Sequence, residues 1–232
     1  MSNNSGNKIE WDERDMFIED GWWILKIDGS KFKPLRYPNL SLDMIEKYYI
    51  DMCTVGYSVM RKFKHIIAAY ILDDEFHFLF KTSEIQEDKC RLSKVLVWPT
   101  SYTTALVNSK INSKIYKSNK TISFNELCYD GRLIRLEEGE IECYFYEIIN
   151  HGKLFIGNSI EGDGEYYIDK TLSGILKIAR DKNVKLTNMH NLLFGRFITR
   201  FGANISMDDF KYEKHQNVVK RELKDIVSRY NK

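Results

Sequence analysis

Apolar and polar positions alternate along this chain with two different periods, and the changes of period mark its elements. Residues 22–27 (WWILKI) are a compact apolar run ending at Asp28-Gly29, the pattern of a buried strand followed by a tight turn. Pro34 and Pro38 keep the next loop from being helical. Ser41 is a favourable N-cap, and Met44, Ile45, Tyr48, Tyr49, Met52, Val55 and Val59 follow at helical spacing, so one long helix is expected over 42–62. Residues 65–72 (HIIAAYIL) read as a second apolar strand. After Asp73-Asp74-Glu75, Phe76, Phe78 and Phe80 alternate with His77 and Leu79, which is a strand again. Two strands joined by a short acidic turn make a β-hairpin with carboxylates at its tip.

Beyond the hairpin, 87–108 reads as a helix that Pro99 kinks or breaks, 110–127 as irregular, and 128–136 (CYDGRLIRL) as a short strand. Helices are expected from 139 or 140 to 150, and over 171–181, 188–201 and 208–230. Strands come mainly early and helices late. That order predicts an α+β fold: an antiparallel sheet with helices on one face and a helical C-terminal extension. The 232 residues contain only 13 glycines and 3 prolines, so no flexible linker divides them. A single domain over 1–232 is expected, with 1–10 as a disordered tail and about 140–232 as the mainly helical extension.

The net charge of +2 lends no support to nucleic-acid binding by itself, so any phosphate-binding surface must be a local patch. Basic residues gather at Lys31, Lys33 and Arg36, at Arg61, Lys62 and Lys64, and at Lys214, Lys220 and Arg221; each run taken alone also reads as a solvated face. Cys53, Cys90, Cys128 and Cys143 form no CxxC pair and have no histidine at ligand spacing, which argues against zinc. Scattered thiols behind a polar N-terminus point to a reduced, cytoplasmic protein. No apolar run approaches the ~20 residues of a membrane span, so no membrane partner is expected.

The chemistry is carried by two short acidic segments. Asp28 ends a buried strand, and Asp74 sits at the tip of a hairpin whose strands are equally apolar. Either segment alone is an ordinary turn. Together, each following an apolar strand and separated by a helix, they place two carboxylates at one sheet edge if the strands are neighbours. Carboxylates suit Mg²⁺, which binds one or two of them plus substrate phosphates, and a pair of such ions can clamp a phosphoryl displacement. Gly29 would let the backbone approach metal and phosphates without a side-chain clash. Glu75 reads as a further metal or water ligand, or as the partner of a lysine; His77 reads as a packed strand residue.

The segments Leu25-Lys26-Ile27-Asp28-Gly29-Ser30-Lys31-Phe32 and Ala69-Tyr70-Ile71-Leu72-Asp73-Asp74-Glu75-Phe76 resemble the tRNA-His guanylyltransferase family, which shows R-I-D-G-R-x-F and Y-x-x-S-D-E in that order. Arg91 and Lys94 fit an R-x-x-K helix, and Tyr129-Asp130-Gly131-Arg132 is similar to F-D-[AG]-R. Tyr144-Phe145, Gly157-Asn158-Ser159-Ile160 and Asn191-Leu192-Leu193-Phe194 resemble later segments, so the likeness spans roughly 22–205. It implies a polymerase-palm-like domain that adds nucleotides to the 5′ end of tRNA in the 3′→5′ direction, with ATP and GTP as substrates and two Mg²⁺ ions. Asp28, the Gly29 carbonyl and Asp74 would bind metal, with Asp28, Asp74 and Glu75 the catalytic carboxylates. Lys26, Gly29, Ser30, Lys31, Phe32, Lys33, Asp73, Arg91 and Lys94 would surround the nucleotide, and Arg132 and Asn158 would serve the 5′ end or the activating nucleotide. A homotetramer built as a dimer of dimers is implied as well.

The departures from the family pattern are specific. Lys26 stands for arginine, keeping charge but losing the bidentate fork. Asp73 stands for serine and adds negative charge beside the metal site. The loop over 33–41 is shorter than in eukaryotic members, H-I-N-N-L-Y-N is absent, and Tyr144 is followed by Phe145-Tyr146-Glu147-Ile148 without tryptophan and arginine. These gaps favour the Thg1-like branch, which repairs truncated 5′ ends by templated addition, over addition of one guanylate to tRNA-His. Two other functions compete: a palm-type transferase or cyclase with another acceptor, and a non-catalytic RNA- or nucleotide-binding homologue.

Overall fold

The computed structural model describes residues 18–30, 42–85, 91–111, 128–161, 195–200, 204–205 and 212–231, with 174, 177, 178 and 181. Six strands form one sheet in the order β4-β1-β3-β2-β5-β6. They are β1 (Trp22–Ser30), β2 (Ile66–Leu72), β3 (Glu75–Lys81), β4 (Cys128–Leu136), β5 (Arg196–Thr199) and β6 (Asn204–Ile205). Every neighbouring pair is antiparallel. The helices are α1 (Leu42–Lys62), α2 (Trp98–Ile111), α3 (Ile141–Glu161) and α4 (Tyr212–Tyr230). The fold is α+β with an antiparallel sheet, as the order of elements predicts.

Alternation of side chains sorts the core into two layers. Leu25, Ile27, Phe76, Phe78 and Phe80 face α1 and α2, where Tyr48, Met52, Val55, Val59 and Val107 cover them. Trp22, Ile24, Tyr70, Leu72 and Leu79 face the other way, onto Ile141, Phe145, Ile148 and Ile149 of α3 and Val219, Leu223 and Ile226 of α4. The C-terminal extension is therefore the second cover of the sheet. β2 reads as an unbroken apolar run because both of its faces are buried, while β3 alternates its phenylalanines with buried His77 and Leu79. Tyr48 and Tyr49 are buried at 5% and 1% exposure, whereas Tyr146 on α3 is exposed.

Several expectations are corrected. β1 does not stop at a turn after Asp28. Its pairing with β3 ends at Ile27↔Phe76, but β4 continues the ladder through Gly29↔Tyr129 and Ser30↔Cys128. The helix expected over 188–201 is a strand where it is described: Arg196–Thr199 pairs with the second edge of β2, Ala68↔Thr199 to Ile71↔Arg196. That free edge offers these residues a ladder, and tertiary pairing overrides a local helical pattern. Gly195 makes the entry possible: its φ is +60°, and a Cβ there would lie 2.5 Å from the Ile71 carbonyl oxygen. Pro99 falls in the first turn of α2, directly after a π-helical stretch, Ser93–Val97, that absorbs the irregularity. The helix expected to end near 150 runs to Glu161. The 1–10 tail, the 110–127 connection beyond 111, and most of 171–181 lie outside the described residues. No described helix is long and apolar enough to cross a membrane.

Candidate functional site

On β1, Lys26 and Asp28 share a face with Trp22 and Ile24, and on β3, Glu75 and His77 share it with Leu79. Register decides what they meet. Lys26 stands opposite His77 on one side and Arg132 on the other. Asp28 stands opposite Asp130, and the last pair Ile27↔Phe76 puts it level with Glu75. Three strands thus present two rows at one end of the sheet: acidic Asp130, Asp28 and Glu75, backed by Arg132, Lys26 and His77. Directly opposed like charges destabilise a sheet, and the neighbouring row supplies the compensation.

The compensation is visible pair by pair. The Lys26 ammonium lies 3.2 Å from Glu75 Oε1 and 3.5 Å from Asp28 Oδ2, with all three side chains 23–32% exposed. His77 Nε2 is 3.1 Å from Glu75 Oε2, and His77 Nδ1 is 2.9 Å from the Tyr144 hydroxyl on α3. Arg132 Nε is 3.0 Å from Asp130 Oδ2, but at 65% and 58% exposure that pair contributes little. Burial alone would raise the Glu75 carboxyl; the hydrogen bond from His77 and the charge of Lys26 outweigh it and hold the group at about 2. Burial lowers the His77 imidazole despite Glu75, and burial also raises the Tyr144 hydroxyl, so both are neutral.

Asp73 and Asp74 form the two-residue turn between Leu72 and Glu75, at the same end of the sheet. Asp73 has φ 57°, a left-handed conformation that aspartate tolerates better than most residues. The turn is not a solvated tip: Asp73 is 0% and Asp74 4% exposed. Gly29 is an extended ladder residue opposite Tyr129. Gly131 on β4 lies so close to α2 that a Cβ would meet Thr100 Oγ1 at 2.2 Å, which fixes the strand carrying Asp130 and Arg132 against that helix.

The structure thus joins Lys26, Asp28 and Glu75, sets Asp73 and Asp74 beside them in sequence, and puts Arg132 one strand away. Arg91 and Lys94 belong to the segment whose Val95 enters the core on the opposite face of the sheet. Lys94 lies 5.9 Å over the Trp98 ring, and Arg91 Nε is buried without a hydrogen-bond partner among the described residues. Asn158 is on α3, but its side chain, that of Ser30, and residues Lys31, Phe32 and Lys33 lie outside the described residues. Sequence reasoning missed the hydrogen-bonding role of Tyr144 and the place of Asp130 opposite Asp28. The signal for Asp130 was present as three matching i,i+2 pairs, Lys26/Asp28, Glu75/His77 and Asp130/Arg132, which become neighbours once the strand order is known. Among the described residues no three of His, Cys, Asp or Glu come together closely enough to hold a metal ion by themselves.

Comparison with solved structures defines the fold family. The fold is similar to that of a bacterial tRNA(His) guanylyltransferase (Thg1)-like protein in complex with ATP, at TM-score 0.62 and 17% identity over 90% of this chain and 93% of that one. The tRNA(His) guanylyltransferase of Saccharomyces cerevisiae is similar at TM-score 0.60 and 16% identity, over 88% of this chain and 96% of that one. At these identities the likeness establishes the fold. The sequence carries the relationship further. The model of the family "Thg1: tRNAHis guanylyltransferase" matches residues 7–137. A probable tRNA(His) guanylyltransferase of Drosophila melanogaster is 28% identical over 126 residues, 53% of this chain and 42% of that protein, so the match spans less than half of that relative. The chain belongs to the Thg1 tRNAHis guanylyltransferase family.

Proposed function

We propose that this protein is a metal-dependent nucleotidyltransferase that adds nucleotides to the 5′ end of tRNA in the 3′→5′ direction. The observation that carries the reading is the lysine shared by two carboxylates, Lys26 between Asp28 and Glu75, at the sheet end where the buried Asp73-Asp74 turn also lies. The family supports it, and so do the ATP and GTP complexes of the structurally similar bacterial protein.

The donors present fit Mg²⁺ better than a transition metal. Asp28, Asp74 and the Gly29 carbonyl offer oxygen only, and Mg²⁺ completes its shell with water and substrate phosphates instead of needing a protein cage. When bound, the ion would polarise phosphoryl oxygens and offset their charge. Lys26 would bring a point charge to the same triphosphate, with the backbone of Gly29 to Lys33 lying alongside it. Arg91 and Lys94 would neutralise remaining phosphate charge, and Arg132 and Asn158 would hold the 5′ end or the activating nucleotide. Such fixed charges accelerate phosphoryl transfer because charge spreads over the phosphoryl oxygens in the transition state.

Purified protein with Mg²⁺, ATP, labelled GTP and a 5′-truncated, 5′-phosphorylated tRNA is expected to extend the RNA at its 5′ end. Asp28→Ala and Asp74→Ala are expected to abolish incorporation while the protein stays folded by circular dichroism. Absence of label across several tRNAs overturns the reading, and a cyclic nucleotide formed from triphosphate alone replaces it with a cyclase. For the assembly we read a homotetramer, supported by Ile50 and Tyr57 on α1 and Val97 and Trp98 near the start of α2, all 46–55% exposed. A monomer mass by light scattering refutes that assembly.

A further inference from the structure

A chain of hydrogen bonds runs from helix α3 to the candidate nucleotide site. Tyr144 is in the first turns of α3, whose entry is fixed by a reciprocal capping box between Glu137 and Glu140. Its hydroxyl meets His77 Nδ1 at 2.9 Å, His77 Nε2 meets Glu75 Oε2 at 3.1 Å, and Glu75 Oε1 meets the Lys26 ammonium at 3.2 Å. For a neutral His77, one proton arrangement satisfies this chain. Ionised Glu75 can only accept, so His77 donates through Nε2–H. Its Nδ1 is then bare and accepts from the Tyr144 hydroxyl, a tautomer assigned from the network. His77 is 1% exposed, so neither nitrogen has bulk water as a substitute.

We propose that His77 and Tyr144 are positioning residues for triphosphate binding: Tyr144 holds His77, His77 holds Glu75, and Glu75 draws toward itself the Lys26 ammonium that it shares with Asp28. The distances give the reason. Lys26 is nearer to Glu75 than to Asp28, 3.2 Å against 3.5 Å. Lys26 already pairs with Asp28, and a Glu75 free to rotate would leave the whole lysine charge to Asp28, a carboxylate meant for a cation. Anchored by His77, Glu75 has one oxygen committed to each neighbour. It then acts by placing Lys26 and not as a metal ligand, which gives it the lysine-partner role among those its sequence allowed. This inference rests on the reading of Lys26 as a triphosphate ligand.

The test is a double-mutant cycle on ATP affinity, measured by calorimetry with no RNA present. Tyr144→Phe deletes one oxygen and keeps the ring, which packs edge-on against His77 and Phe145. It is expected to weaken ATP binding about fivefold, and to have less than about a twofold effect in a Glu75→Gln background, because coupled residues do not add. AMP affinity stays unchanged, whereas a general loosening of the fold would weaken both ligands. His77→Gln, which keeps a donor toward Glu75, recovers most of the affinity that His77→Leu loses. Independently, ¹⁵N NMR of His77 is expected to show its proton on Nε2, and Tyr144→Phe is expected to move the Nδ1 resonance alone. Additive effects in the cycle, equal losses for ATP and AMP, or a proton on Nδ1 each overturn the proposal. ATP binding that follows the cycle in a protein unable to extend RNA would leave this inference standing and refute the proposed function.

Discussion

Protonation of His65 is expected to cost this protein stability well before acid reaches its carboxylates. His65 sits between α1 and β2 with its ring edge-on to Phe63 and Phe80, at centroid distances of 6.1 and 5.5 Å. Its Nε2 is buried without a hydrogen-bond partner among the described residues. Beside it, the Arg200 guanidinium is fixed by donating to the carbonyl oxygens of Ile66 at 2.9 Å, Met60 at 2.8 Å and Phe63 at 3.0 Å. Burial first, and the Arg200 charge second, lower the imidazole from 6.5 to about 4. Between those values the unfolded chain binds the proton and the folded one does not, so stability rises with pH across the window and is lost as pH falls through it. The full difference of two and a half pH units corresponds to about 3 kcal/mol, of which about 2 kcal/mol falls between pH 7 and pH 5. Urea unfolding of wild type and His65→Phe at a series of pH values reads this term directly. The substitution keeps an aromatic ring and removes the titrating nitrogen. Wild type is expected to lose about 2 kcal/mol more than the variant over that interval. Parallel losses in the two proteins would refute the placement of a neutral His65 against Arg200.

Two further outcomes are expected. Gly195→Ala combines a left-handed φ with a Cβ 2.5 Å from a carbonyl oxygen, and should cost about 2 kcal/mol or more in urea unfolding, whereas Gly139→Ala, with nothing within 4 Å, should change the midpoint little. Lys26→Met should weaken triphosphate affinity about tenfold, and Lys94→Ala by a smaller factor, both read by calorimetry; unchanged affinity in either removes that residue from the triphosphate clamp.

Where the local pattern and the tertiary structure agree, the elements were legible. The helical spacing from Met44 to Val59 gives α1, and the alternation of Phe76, Phe78 and Phe80 gives β3, because one face of each must meet the same core. β2 is harder. Ile66 to Leu72 is apolar throughout, so the sequence gives no alternation, and a register irregularity between Ile66 and Ala68 shifts which residues face which layer. β5 was not legible. Four residues pair with a strand more than a hundred positions earlier, and nothing in RFIT itself distinguishes that edge from a helical turn.

The site divides along the same line. Asp28 and Glu75 could be picked from their segments, since an acid after a buried strand is a local signal. Their relation could not. It depends on the register Lys26↔His77, and a slip of one residue would turn the whole row to the opposite face. His77 shows the limit most directly. Reading it as a packed strand residue is right about burial, yet a buried imidazole must satisfy two nitrogens, and one of its partners is 67 positions away on α3. That distant partner bears on the division of labour among the acids. With Glu75 engaged at both oxygens, the proposed metal donors reduce to Asp28, whose side chain is 32% exposed, and Asp74 in the turn. Removing Glu75 should therefore release the lysine onto Asp28 and weaken that donor as well, whereas removing Asp28 should delete a donor and leave the lysine held by Glu75.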